Sequence, residues 1–222
     1  MRAITKKSIF VFGYIAKKDL KQAVMLGATL SVYNKEILKE LNHLGKEKNK
    51  KIIVHLKIDT FLGRQGILLD EVKQYGELIN KLPFVKLEAI YSHFSNIEDA
   101  KNLIHAKKQF GQLLKAKEIL QSIGFAKLTH HISSTSGFLV DMQSNWDSLF
   151  LRLGIGMYGY WTSEDLENKV YNKIKLRPTL RWISHLAQVK NIPASYPIGY
   201  GLTFVSKKPM KIGIVPQGYG DG

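Results

Sequence analysis

The sequence predicts an α/β fold: a (β/α) TIM-type barrel, incomplete at about six of eight units, followed by the start of an all-β domain. Three observations carry this. Through the first two-thirds, short β-branched or aromatic runs alternate with amphipathic helical stretches, which is the pattern of a parallel sheet. Lys57 with Asp59, His93, His131 with Ser133 to Thr135, and Arg152 fall at the ends of successive strand-like runs. That is the face on which barrel sites are assembled. Beyond about residue 160 the helices give way to strands punctuated by Pro and Gly.

In order, the runs are 8–15, 29–34, 51–59, 85–94, 127–134 and 149–159. A helical stretch follows each of the first five. In "KEILKELNHLGK", Ile37, Leu38, Leu41 and Leu44 share one face. In the long helix expected over 98–122, Leu103, Phe110, Leu113 and Leu120 form the apolar stripe. No GxGxxG follows a strand and no GxxxxGK[ST] occurs, which counts against the common nucleotide-binding sheets. Periodicity alone fits an open sheet as well as a barrel lacking its first two units; the polar strand ends favour the barrel. The partial barrel is assigned to 1–165, a polar connection to 165–176, and the N-terminal part of a β-domain to 176–222.

Composition narrows the function classes. Apolar residues at 45% and charged residues at 23% of the 222 are ordinary for a globular chain. No apolar run approaches the roughly 18 residues that span a membrane, and the apolar run near the start is too short for a signal peptide. The absence of cysteine excludes disulfides and thiolate metal sites and fits a cytoplasmic setting. The formal charge of +15 could mark a nucleic-acid binder. The lysines are spread over helical faces among glutamates, so a solvated surface is the better reading, and neither nucleic acid nor membrane is expected as a partner.

The stretch "HLKIDTFLGRQGI" places Lys57, Asp59 and Arg64 together where a strand ends. Unpaired buried charge is costly, so these groups need partners or a ligand. Lys57 and Asp59 are two apart, which puts them on one face of a strand, here the barrel interior.

Five ordered blocks resemble the alanine racemase family. "LKIDTFLGRQG" is similar to its LKxDTGMxRxG, and "YSHFSNIED" to its block around a His-Phe pair. "HHISSTSG" is similar to HxANSA, "LRLGIGMYG" to RxGIxxYG, and "VPQGYGDG" to GYADG. The resemblance implies an isomerase that interconverts L- and D-alanine for peptidoglycan, with pyridoxal 5'-phosphate held as a Schiff base at the barrel mouth and two bases on opposite faces. It implies that Tyr219 is one base, supplied by the partner subunit of a homodimer. Arg64 matches the arginine that donates to the cofactor's phenolic oxygen, and Lys57 a lysine that is often carbamylated. Carbamylation would turn the Lys57–Arg64 repulsion into attraction. Arg152 matches the arginine facing the pyridine nitrogen, where a permanent cation disfavours ring protonation and weakens the electron sink. Phosphate binding is expected from Ser134, Thr135 and the backbone N–H groups of Gly154 and Ile155, and His93 is expected near the ring.

There are departures. No block resembles the family's KANAYGHG, which carries the Schiff-base lysine, so the sequence reads as a fragment that would itself be inactive. Ser134 and Thr135 replace the usual asparagine and serine, and Gly220 the usual alanine. Phe61 stands where the family has glycine; a positive φ there would strain it by about 1–2 kcal/mol. The alternatives are a broader-specificity amino-acid racemase, a pyridoxal-phosphate barrel enzyme such as a decarboxylase, and a non-catalytic binding module. Arg152 argues against the decarboxylase, which carries an acid facing the pyridine nitrogen.

Overall fold

The computed structural model describes residues 3–99, 102–140, 146, 151–170 and 172–221. The chain divides into two compact units, 1–177 and 178–222. Unit 1 is built on a curled parallel sheet of five strands in the order β1 (Phe10–Val11), β2 (Thr29–Val32), β3 (Ile52–Lys57), β4 (Val85–Tyr91) and β5 (Thr129–His131). Strand order equals chain order, as the alternating pattern requires of a barrel segment. Helices α1 (Leu20–Met25), α2 (Lys35–Glu47), α3 (Val72–Asn80) and α4 (Ile104–Ser122) connect them, and α5 (Thr135–Val140) follows β5.

The helices form where the sequence marks their starts and stripes. Asn34 caps α2, its side-chain oxygen accepting from the N–H groups of Glu36 and Ile37 at 2.9 and 3.2 Å. Leu38, Leu41 and Leu44 of α2, Val72 and Ile79 of α3, and Leu113 and Leu120 of α4 are buried in one core with Val54, Leu56 and Ile58. β3 is buried along nearly its whole length, as befits a central parallel strand. Its even positions join that core, and His55 and Lys57 therefore point to the other, concave face.

One irregularity positions the site. Val54 pairs with Leu87 but His55 pairs with Ala89, so Glu88 is an extra residue bulged out of β4. Its carboxylate then meets the imidazole of His55 on the neighbouring strand, with Oε2 3.2 Å from Nε2.

Some expected boundaries shift. The sixth strand expected at 149–159 is not found among the described residues; 147–150 lie outside them, and Ile155–Tyr158 form a 3-10 turn. β1 is only two residues long, because at the sheet edge it pairs with β2 alone. The segment read as a polar connection contains a helix, α6 (Glu164–Val170), with Leu166 and Val170 buried. Its signals are Ser163, whose Oγ accepts from the N–H of Leu166 at 3.2 Å, and the acidic first turn. No described helix is long and apolar enough to cross a membrane.

Unit 2 holds two antiparallel pairs: β6 (Gln188–Ile192) with β9 (Met210–Ile214), and β7 (Pro197–Ile198) with β8 (Phe204–Val205). Residues 179–192, "TLRWISHLAQVKNI", look strand-like throughout but form strand only over the last five. Ser206 ties the unit inside, donating to the carbonyl of Pro193 at 2.7 Å and accepting from the N–H of Tyr196 at 2.9 Å.

Candidate active site

β3, β4 and β5 end side by side at Lys57, Tyr91 and His131, and their concave-facing side chains are polar. The Ser31 and Tyr91 hydroxyls are 2.6 Å apart, and the ring of Tyr91 stacks on that of His131 with centroids 4.9 Å apart. The organising group is Arg152. Its backbone N–H donates to the carbonyl of Ser133 at 3.1 Å, which fixes the residue alongside the end of β5. Its Nη2 donates to the carbonyls of Ser92 and Ile132 at 2.6 and 3.0 Å and lies 3.4 Å from Nδ1 of His93. Its Nη1 bonds Nδ1 of His131.

A guanidinium only donates, so Nδ1 of His131 must accept. The proton of that imidazole then sits on Nε2, which donates to Nδ1 of His55 at 3.0 Å. His55 in turn donates from Nε2 to Glu88. The result is a directed chain, Arg152 to His131 to His55 to Glu88, that runs across the concave face to a partly exposed carboxylate. Burial, and next the charge of Arg152, push the pKa of His131 far below the usual imidazole range. Burial also lowers His55, against the raising effect of Glu88. His93 is pushed down to about 4 by burial, with Arg152, Arg64 and Lys57 adding to the shift.

Lys57 is 4% exposed. Its ammonium lies 3.4 Å from Oε1 of Gln65 and 5.5 Å from the centre of the Tyr91 ring. Burial first, then Arg64 and Arg152, lower its pKa to about 8. Asp59 does not share the interior with it: β3 ends at Lys57, and Asp59 instead caps the following loop. Its carboxylate oxygens accept from the N–H groups of Leu62, Gly63 and Arg64 at 2.9, 3.1 and 3.2 Å. The acid expected on the same strand face as Lys57 is thus a loop anchor. Phe61, inside that loop, has a φ of +65°, the strained case.

Seven of the nine residues to which the resemblance gives a role line one cavity of about 570 Å³ at the strand ends. They are Arg64, His93, Ser134, Thr135, Arg152, Gly154 and Ile155. Phe12, Phe94 and Trp161 supply apolar walls. Thr135 is buried, and its hydroxyl accepts from the N–H groups of Gly154 and Gly156 at 3.1 and 3.3 Å. The Gly154 N–H, expected to face a phosphate, thus already meets the Thr135 hydroxyl. A Cβ at Gly156 would lie 2.4 Å from Cγ2 of Thr135, so only glycine permits this approach.

Lys57 lies at the end of β3 and is not among the cavity-lining residues. Tyr219 belongs to unit 2 and is fully exposed. It sits in a turn closed by Asp221, which accepts the N–H of Gly218 at 2.7 Å and returns its own to the Gly218 carbonyl at 3.0 Å. His55, Glu88 and Gln109 were not singled out in the sequence. The bulge that aims Glu88 has no sequence signature, and Gln109 looks like any polar residue on a helix.

Three histidines held neutral make stability depend on pH. Each has a folded-state pKa below the unfolded value near 6.5, so the unfolded chain binds more protons as pH falls below it. Thermal denaturation should therefore show stability falling from about pH 7 toward 4. A His93→Gln variant should fall less steeply over that window; an identical slope would contradict the assignment for His93.

The alanine racemase N-terminal domain family matches residues 1–162, and the alanine racemase C-terminal domain family matches 179–222. Alanine racemase 2 of Caldanaerobacter subterraneus subsp. tengcongensis is 32% identical over 96% of this chain and 54% of its own length. Alanine racemase of Staphylococcus epidermidis is 31% identical over 96% of this chain and 54% of its own length. Among solved structures, alanine racemase from E. faecalis superposes with a TM-score of 0.76 at 28% identity, covering 99% of this chain and 57% of that one. The Bacillus anthracis enzyme with bound L-Ala-P gives 0.78 at 25%, covering 99% and 56%. The chain spans about half the length of the curated relatives it matches. With both family domains matched in order, on an incomplete barrel followed by a short β region, the chain belongs to the alanine racemase family.

Proposed function

We propose that the full-length protein containing this sequence interconverts L- and D-alanine with pyridoxal 5'-phosphate, as a homodimer, in the supply of D-alanine for peptidoglycan. The observation that carries the reading is the shared cavity at the strand ends, lined by two arginines, His93 and a cluster of hydroxyls. The donor set fits the cofactor's chemistry. Ser134, the Thr135 hydroxyl, which accepts from Gly154 and keeps its own proton to donate, and the amide at Ile155 suit a phosphate, aromatic walls suit a flat ring, and Arg152 is a permanent cation for a ring nitrogen. When bound, the cofactor supplies an electron sink for the bonds to the substrate's α-carbon.

The chain's own residues would do the rest. Arg152, with its position fixed by two carbonyls and two imidazoles, keeps a positive charge where a carboxylate would hold a proton. A weak sink favours simple proton return over side reactions, which supports a racemase over a decarboxylase. Arg64 would donate to the cofactor's phenolic oxygen and would favour the ionised form of an adjacent phenol. That phenol is Tyr219 of a second copy, which takes or returns the α-proton on one face. Lys57, with its amine near half-neutral at about pH 8, can attack carbon dioxide. The C–N bond forms, a proton leaves, and the resulting carbamate anion attracts Arg64.

Expressed from its complete reading frame, the protein should convert D-alanine to L-alanine, and Tyr219→Phe should lower kcat by about 100-fold or more. Inactivity of the unsubstituted protein with saturating cofactor would defeat the reading. Supplied with ¹³C-bicarbonate, it should give a carbamate carbon resonance that Lys57→Ala abolishes; a resonance that survives the substitution would remove the role of Lys57.

A further inference from the structure

Outside the cavity, one side chain stands apart. Gln109 of α4 is wholly buried, and all four of its hydrogen-bonding positions are used. Its Nε2 donates to the carbonyls of Thr60 and His93, at 2.6 and 3.3 Å. Its Oε1 accepts from the N–H and the hydroxyl of Ser95, at 3.0 and 3.2 Å. The orientation is unambiguous, since the flipped amide would set oxygen against two carbonyls. None of these partners belongs to α4. They lie in the loop that carries Arg64 and in the segment after β4 that carries His93.

The residue before it grips the same loop from outside. The ammonium of Lys108 lies 4.6 Å from the centre of the Phe61 ring, and the ring of His105 lies 6.4 Å from it. Positions 105, 108 and 109 share one face of a helix. Phe61 keeps its left-handed backbone although glycine would adopt it without strain. Its ring gives the helix something to hold that a glycine could not.

We infer that Gln109 is a positioning residue: together with the Lys108–Phe61 contact it fixes the loop 59–66 against the end of β4, and so sets where Arg64 stands relative to Lys57 and His93. For its consequence in turnover this rests on the proposed role of Arg64; for its structural content it does not. Asp59 caps the loop from within, and Thr60 adds a hydroxyl contact to Ser92 at 2.7 Å. Among the described residues, Gln109 joins that loop, at the carbonyl of Thr60, to the carbonyl of His93.

Gln109→Glu nearly preserves shape, removes both donors and turns a carboxylate toward two carbonyls. Two readouts on this chain need no cofactor. Hydrogen exchange at the amides of Leu62, Gly63 and Arg64 should quicken by about tenfold or more, with the amides of β2 and β3 unchanged. The pH midpoint for reaction of Lys57 with cyanate should move upward from about 8. After burial, the charges that act on the Lys57 amine are those of Arg64 and Arg152, which lower its pKa, and that of Asp59 in the loop, which raises it; Arg64 is the largest of the three. A general loss of stability would not move that midpoint selectively. If Gln109→Glu does not fold, Lys108→Met, at an exposed position, should still quicken exchange at the same three amides. Unchanged exchange and an unchanged midpoint in a folded Gln109→Glu protein would overturn the inference, as would unchanged exchange in Lys108→Met. A complete protein that lacks racemase activity while these shifts occur would defeat the functional reading of Arg64 and leave the clasp standing.

Discussion

The structure of the site depends on one partly buried guanidinium, that of Arg152. An arginine cannot shed its charge, so where its fork is turned away from water the surroundings must supply acceptors in matching geometry. Here the strand ends supply them: carbonyls at Ser92 and Ile132, and imidazole nitrogens at His131 and His93. These acceptors come from two neighbouring strands, so Arg152 cross-links the mouth of the sheet. Losing it would leave buried carbonyls unpaired, at roughly 1–3 kcal/mol for each group.

The other polar features follow from that demand. Each imidazole must stay neutral to accept from Arg152, and burial beside a cation keeps it so. His131 then has a proton to place on its far side, which calls for His55, and His55 calls for an acceptor of its own. The bulge at Glu88 meets that need by turning a carboxylate from a partly exposed position toward the sheet interior. Burial, then Arg64 and then Arg152, depress Lys57, which makes an amine available near neutral pH that an ordinary surface lysine would not offer. The charge of Arg152 and the tautomers of the imidazoles are thus linked.

Much of the fold was legible, because the features that specify it are local. Asn34 marks a helix start by its side chain, and the leucines of α2 mark a buried face by their spacing. Strand lengths were less legible: β1 and the strands of unit 2 are shorter than their apolar runs, since pairing depends on a neighbour that the run does not encode. In the site, the blocks around Arg64, His93, Thr135 and Arg152 converge on one cavity as their strand-end positions suggested. Asp59 was misread because spacing shows a shared face only while the strand continues, and β3 stops two residues earlier. His55, Glu88 and Gln109 were hidden for a similar reason. Their partners are brought to them by a bulge and by a helix crossing, events of register and packing with no signature in any short window.

The directed hydrogen-bond chain is most directly tested at His131 itself, by nitrogen NMR of the imidazole across pH. The account requires a neutral ring with a bare Nδ1 and a protonated Nε2 that stays so down to about pH 5. A His131 that titrates near 6.5, or that carries its proton on Nδ1, could not accept from Arg152 and would contradict the arrangement on which the site is built.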